Sequence, residues 1–160
     1  MPTLVHLADE RNLQSIRKNG IKPSIKGLGI YAMPVLPDFY ASHQWLRELK
    51  STGAKTIIGV YFKLDVSEMV YVGRYNKHHQ LLPLGDAFKK IMELTDPIGY
   101  ELIINRKIEP KEISRIKFLP QVIGWRYFPE SNNVKPCACE FCLKGTIKGR
   151  RTLNRLSGNN

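Results

Sequence analysis

Three polar side chains in this sequence sit where a fold can hold them rigid: His6 in VHLADERNL, Tyr31 in GLGIYAM and Glu101 in GYELIINR. Each stands at the edge of an apolar, strand-like or Gly-rich run. An imidazole both donates and accepts hydrogen bonds. A phenol offers a flat face with a polar tip, and a carboxylate among residues that want burial is costly unless it has a purpose or a partner. In that order the three suggest a nucleotide site. The plainer reading makes His6 a satisfied structural histidine and Tyr31 a core aromatic. Alternation puts Tyr100, Leu102 and Ile104 on one face and Glu101, Ile103 and Asn105 on the other, so that second face is either a cleft or a rim.

A second cluster, PCACEFC, spaces Cys137, Cys139 and Cys142 as Cys-x-Cys-x-x-Cys, and these are the only three cysteines. Thiolates so spaced can hold zinc, but a structural site takes four ligands, so His43, His78 or His79 would have to complete it. The alternative is a set of reduced thiols. Within NKHHQ, His78 and His79 read as a solvated loop. From Lys135 to Arg155 the chain is basic, and Lys144, Lys148, Arg150 and Arg151 can neutralise phosphates. Trp125, Tyr127, Phe128 and Phe141 nearby are planar groups on which unpaired bases can stack. A solvated basic tail is the alternative.

The elements that must position these groups follow from periodicity and punctuation. Thr3 to Leu7 reads as a strand, followed by a helix capped by Asp9, with Leu13, Ile16 and Ile21 on its apolar side and Gly20 as its stop. The Gly27 to Ala32 segment turns into a short strand ended by Pro34 and Pro37. Asp38 caps a helix to about Lys50, whose apolar side carries Phe39, Ser42, Trp45, Leu46 and Leu49. Strands are predicted over Thr56 to Leu64, Met69 to Val72 and Tyr100 to Asn105, with a helix over Leu84 to Leu94 introduced by Pro83. Arg115 to Leu119 and Val122 to Phe128 read as further extended segments. Strands outnumber helices without regular alternation, which predicts an α+β domain rather than a doubly wound parallel sheet.

Bulk composition sets the outer limits. With 160 residues and 42% hydrophobic content the chain suits one compact domain, here expected over residues 1–130 with a basic, Cys-containing extension over 131–160. Lys and Arg outnumber Asp and Glu by 25 to 14, which favours an acidic partner. No stretch is apolar and long enough to span a membrane, and the N-terminus lacks the pattern of a secretion signal. With the clustered cysteines, this leads us to expect a soluble, cytoplasmic protein that does not bind membranes.

The ordered His6, Tyr31 and Glu101 resemble the His-Tyr-Glu pattern of ADP-ribosyltransferases of the diphtheria toxin and poly(ADP-ribose) polymerase type. The opening HLADERNLQSIRKNGI is similar to the strand-helix start of DarT-type toxins, which ADP-ribosylate DNA. The resemblance runs over about the first 105 residues as scattered motifs. It implies a split β-sheet with flanking helices and NAD as substrate. Glu101 would then be catalytic, stabilising oxocarbenium character at the ribose as the nicotinamide leaves. His6 would anchor a ribose hydroxyl and Tyr31 would stack on the nicotinamide. Tyr40, nine residues after Tyr31, would be the second aromatic, with Phe39 as competitor, and Ser42 would offer a hydroxyl to the cofactor. The chain departs from arginine-modifying relatives, because it has no Arg-Ser-Glu arrangement and Gly99 stands two before Glu101. The signatures of NAD-dependent RNA 2′-phosphotransferases, several arginines and a second histidine, are not evident.

The expectation is an enzyme that moves ADP-ribose from NAD to single-stranded DNA or RNA. By the same analogy it would be a toxin or defence effector with an antitoxin partner. The alternatives are the same site acting on protein, or merely hydrolysing NAD, and a non-enzymatic nucleic-acid-binding module.

Overall fold

The computed structural model describes residues 1–25, 27–50 and 53–121. The strand predicted over Val122 to Phe128, the domain boundary after residue 130, Cys137, Cys139, Cys142, Lys144, Lys148, Arg150 and Arg151 lie outside the described residues.

In chain order the elements are β1 (Thr3–Asp9), α1 (Leu13–Asn19), β2 (Ile30–Pro34), α2 (Phe39–Ser42), α3 (Leu46–Lys50), β3 (Ile57–Lys63), β4 (Met69–Arg74), β5 (Gln80–Pro83), α4 (Leu84–Met92), β6 (Tyr100–Ile104) and β7 (Ile113–Phe118). The seven strands form one sheet in the order β5-β4-β6-β2-β1-β3-β7, and every neighbouring pair is antiparallel. The fold is thus mixed α and β with few helices. No described helix is long and apolar enough to cross a membrane.

The apolar runs become the inner strands because only there can both faces be covered. All of β3 but Lys63 is buried. In β6 only Tyr100 is partly accessible. Leu4, Phe62, Ile58, Leu102 and Ile104 join Leu84 and Ile91 of α4 in the core.

Asp9 does cap, but the turn it caps is a short 3₁₀ segment, Glu10–Asn12, through its carboxylate and the Arg11 amide at 2.9 Å. Then α1 ends at Gly20, whose φ is 76°. Ile21 does not extend the apolar side of α1. It forms a bridge with Ile108 through two 2.9 Å backbone hydrogen bonds.

Two expectations need correction. The single helix from Asp38 to Lys50 is two short helices, because the chain breaks at His43 to Trp45. There His43 Nδ1–H donates to the Phe39 carbonyl at 2.8 Å, and the Gln44 amide turns away to reach another segment. The strand β5 was not expected: its four residues end in a proline and lie at a sheet edge, where half-exposed residues leave no clear alternation.

Gly20 gives a stability test. A Cβ there would lie 2.0 Å from the Ile108 carbonyl oxygen in a backbone conformation side chains avoid. Gly20→Ala is expected to cost about 2 kcal/mol or more in urea unfolding, and wild-type stability in this variant would show that the Ile21–Ile108 closure tolerates displacement.

Candidate functional site

The site begins where two strands part. Whereas β1 pairs with β3 along its whole length, from Thr3↔Lys63 to Asp9↔Ile57, it pairs with β2 only at Leu4↔Pro34 and Val5↔Met33. Beyond Val5 a side chain takes the place of the ladder: His6 Nδ1 lies 2.7 Å from the Tyr31 carbonyl oxygen. A carbonyl only accepts, so Nδ1 carries the proton and Nε2 of the neutral ring is an acceptor. Burial holds the imidazole pKa below its usual value, against the opposing pull of the Tyr31 carbonyl.

A cleft of about 250 Å³ opens at this gap, lined by residues of β1, β2, α2, α3 and β6, with Tyr75 from the turn after β4. His6, Tyr31, Ser42 and Glu101 all line it. Tyr31 is 40% exposed. Trp45 and Tyr75 add a second aromatic wall, their ring centroids 5.3 Å apart. Glu48 brings a second carboxylate, and no lysine or arginine is among the described lining residues.

Glu101 is only 6% exposed. It is there because β6 is an inner strand between β4 and β2, so its second face is a covered cleft floor and not a rim. Burial pushes its pKa up, and the His79 ring pulls it back down. The contact is His79 Nε2 to Glu101 Oε1, 3.1 Å. His79 is therefore no solvated loop residue. Both ring nitrogens are engaged, Nδ1 with the Lys77 carbonyl at 2.9 Å.

The segment leading into Glu101 is held from three directions. Gln44 accepts from the Gly99 amide at 2.6 Å and donates to the Pro97 carbonyl at 3.2 Å. Trp45 Nε1–H donates to the Tyr100 carbonyl at 3.1 Å. The Tyr75 amide donates to the Gly99 carbonyl at 2.6 Å. Gly99 has φ 85°, a turn that a side chain would strain.

Other expected site residues are placed differently. Tyr40 is 61% exposed and does not line the cleft. Neither does Phe39, whose ring lies 4.0 Å from that of His43. The Ser42 hydroxyl is occupied locally, accepting from the Leu36 amide at 2.8 Å and donating toward the Asp38 carbonyl at 3.0 Å. His43 is buried and uses both nitrogens, Nδ1 on Phe39 and Nε2 against the Tyr61 hydroxyl at 2.8 Å. His43 and His79 thus have both ring nitrogens hydrogen-bonded, and the cysteines lie outside the described residues. No metal-binding cluster occurs among the described residues.

No protein-family model matches the chain, and comparison with curated proteins and with solved structures likewise gives no match.

Sequence reasoning missed His79, Gln44, Trp45 as a cleft residue, and Tyr75. For His79 one signal exists, a glycine within a strand (Gly73) shortly before the HH pair. Gln44 and Trp45 gave none, being masked by a plausible helical stripe.

The raised carboxyl pKa has a consequence for stability. In the unfolded chain Glu101 ionises near 4.5, but in the folded protein only at higher pH. Stability therefore falls as pH rises through that interval and stays reduced above it. Glu101→Gln escapes this loss. Its melting temperature relative to wild type is expected to climb between pH 4.5 and 7.5 in calorimetry, whereas a constant or shrinking difference would mean that the buried charge is fully compensated.

Proposed function

We propose that the protein is an ADP-ribosyltransferase that cleaves NAD in this cleft and passes ADP-ribose to a nucleic acid. The observation that carries the reading is the convergence of His6, Tyr31 and Glu101 on one cleft, at the place where β1 and β2 part. Three segments far apart in sequence meet there, which supports the His-Tyr-Glu reading. The divergence of β1 from β2 is also compatible with the split sheet of that family.

The chemistry suits the residues present. At about 250 Å³ the cleft lies near the lower end of ligand pockets, which begin at about 300 Å³, so we assign to it only the reacting nicotinamide–ribose end of NAD. Tyr31 and the Trp45–Tyr75 wall supply flat faces for the departing ring and keep water out. His6 Nε2, an acceptor, is suited to a ribose hydroxyl proton. As the glycosidic bond breaks, nicotinamide takes the bonding electrons and leaves neutral, and positive charge develops at the ribose. The Glu101 carboxylate stabilises that charge, and does so strongly because the walls around it are apolar and of low dielectric. The nucleophile of the acceptor then bonds to the same carbon and gives up its proton to solvent water.

A nucleic acid as acceptor rests on the net charge of +11 and on the basic run with its neighbouring aromatics.

The test is intact-mass analysis of short single-stranded DNA and RNA incubated with the protein and NAD. Mass gain by one ADP-ribose is expected with wild type, and Glu101→Gln is expected to lower the rate by about 10³-fold or more with little change in NAD affinity. Consumption of NAD without polymer modification would move the acceptor to protein or water. An intact NAD pool would overturn the enzymatic reading in favour of a binding module.

A further inference from the structure

We propose that His79 is the positioning residue of Glu101: it reaches from the β4–β5 hairpin across Gly73, fixes Oε1 and leaves Oε2 to face the cleft. The inference deepens the proposed function and rests on it for its catalytic consequence, but its structural content stands on the geometry alone.

The sheet register places Gly73 of β4 directly opposite Glu101 of β6. A cross-strand partner normally fills the space beside such a side chain. Gly73 has no side chain, and the His79 ring occupies that space. A Cβ on Gly73 would meet the ring Cγ and Cδ2 atoms, each at 2.9 Å, and the His78 carbonyl oxygen at 3.0 Å. The glycine is therefore the slot through which the imidazole reaches the carboxylate.

The hydrogen bonds then fix how protons are shared. His79 Nδ1 faces the Lys77 carbonyl and must donate to it. One proton remains for the 3.1 Å contact between Nε2 and Glu101 Oε1. It rests either on the imidazole, giving an ion pair, or on the carboxyl, giving a neutral pair. A carboxylate at Glu101 with both hydrogen bonds intact thus requires a protonated His79. The carboxyl makes no other hydrogen bond among the described residues, so Oε2 is the atom left for a ligand. The other titratable groups that line the cleft are His6 on β1, Tyr31 on β2, Glu48 on α3 and Tyr75 after β4. Of the groups around Glu101, His79 alone holds the charged form by hydrogen bond and charge, against the cost of burial.

Two variants test this. His79→Gln keeps an amide donor without the imidazolium charge. Gly73→Ala keeps the imidazole but displaces it. Titration of the ¹³C-labelled Glu101 carboxyl by NMR is expected to show its midpoint moving to higher pH in both variants, while amide spectra remain folded. If the midpoint stays where it is in wild type in either folded variant, the proposal is overturned, whatever the protein does to NAD. The rate of NAD cleavage supplies the catalytic arm. Both variants are expected to lose at least about tenfold in kcat with KM changed much less, and the acidic limb of the pH profile should shift to higher pH, which a purely structural loss would not produce. A carboxyl midpoint that moves in a wild-type background unable to cleave NAD would overturn the proposed function and leave the His79–Glu101 pairing standing. A cleavage profile that does not shift while the midpoint does would remove the catalytic role.

Discussion

Placing a carboxylate on an inner strand of an antiparallel sheet imposes the constraint on which this site depends. Glu101 sits in β6 with strands on both sides and is nearly closed to solvent. An isolated ionised carboxyl in such surroundings carries a desolvation cost of several kcal/mol. The structure answers with a single imidazole and a cleft, not with a lysine or arginine. A guanidinium in that position would neutralise the charge and lower the pKa further. The contrast with Arg106 is instructive. There a guanidinium is gripped by Glu68 and Glu112 at once, and it ties the chain after β6 to the β3–β4 connection and the turn before β7. That is how this chain builds a permanent tie. Glu101 is held more loosely, with one oxygen fixed.

The cleft beside it exists because hydrogen bonding between β1 and β2 is abandoned early. Two paired residues suffice to keep the seven strands continuous, and the backbone groups beyond them need other partners. His6 supplies one through its ring, which makes it a structural and a cleft residue together. On the opposite wall the break between α2 and α3 has the same double character. By failing to continue as a helix, the chain frees the side chain of Gln44 to hold Gly99 and that of Trp45 to hold Tyr100. Both irregularities concentrate at one place, as is common where local rules yield to a site.

Legibility in the sequence follows from the same distinction. Strands β3 and β6 are readable because β-branched and apolar residues dominate them and both faces are buried, and β1 because four of its seven residues are buried apolar ones. The caps at Asp9 and Asp38 and the stop at Gly20 are readable because each acts on its own neighbours. His6, Tyr31 and Glu101 stand out because a polar group at the edge of an apolar run is locally anomalous. What is not readable depends on register. Nothing in NKHHQ says that His79 will face Glu101, because that follows from which residue of β4 stands opposite it and from that residue being glycine. The helix break fails for a related reason: Phe39, Trp45, Leu46 and Leu49 satisfy a helical stripe, and only the distant loop at Pro97 to Tyr100 makes the interruption favourable. Ser42 fits the stripe and lines the cleft, yet its hydroxyl serves Leu36 and Asp38.

Among the described residues, positive charge is kept out of the cleft lining, and physical reasons favour that arrangement. The chain carries a net charge of +11, while the described lining of the cleft holds two carboxylates, an imidazole and aromatic faces, with no lysine or arginine. A cation inside the cleft would screen the Glu101 carboxylate at the point where a developing positive charge would need it. Cations outside the lining would act at longer range, where an anionic partner would feel their summed field. The long-range field and the short-range chemistry are then tuned by different residues. The apolar walls strengthen the second, and the first is left to basic side chains outside the described lining.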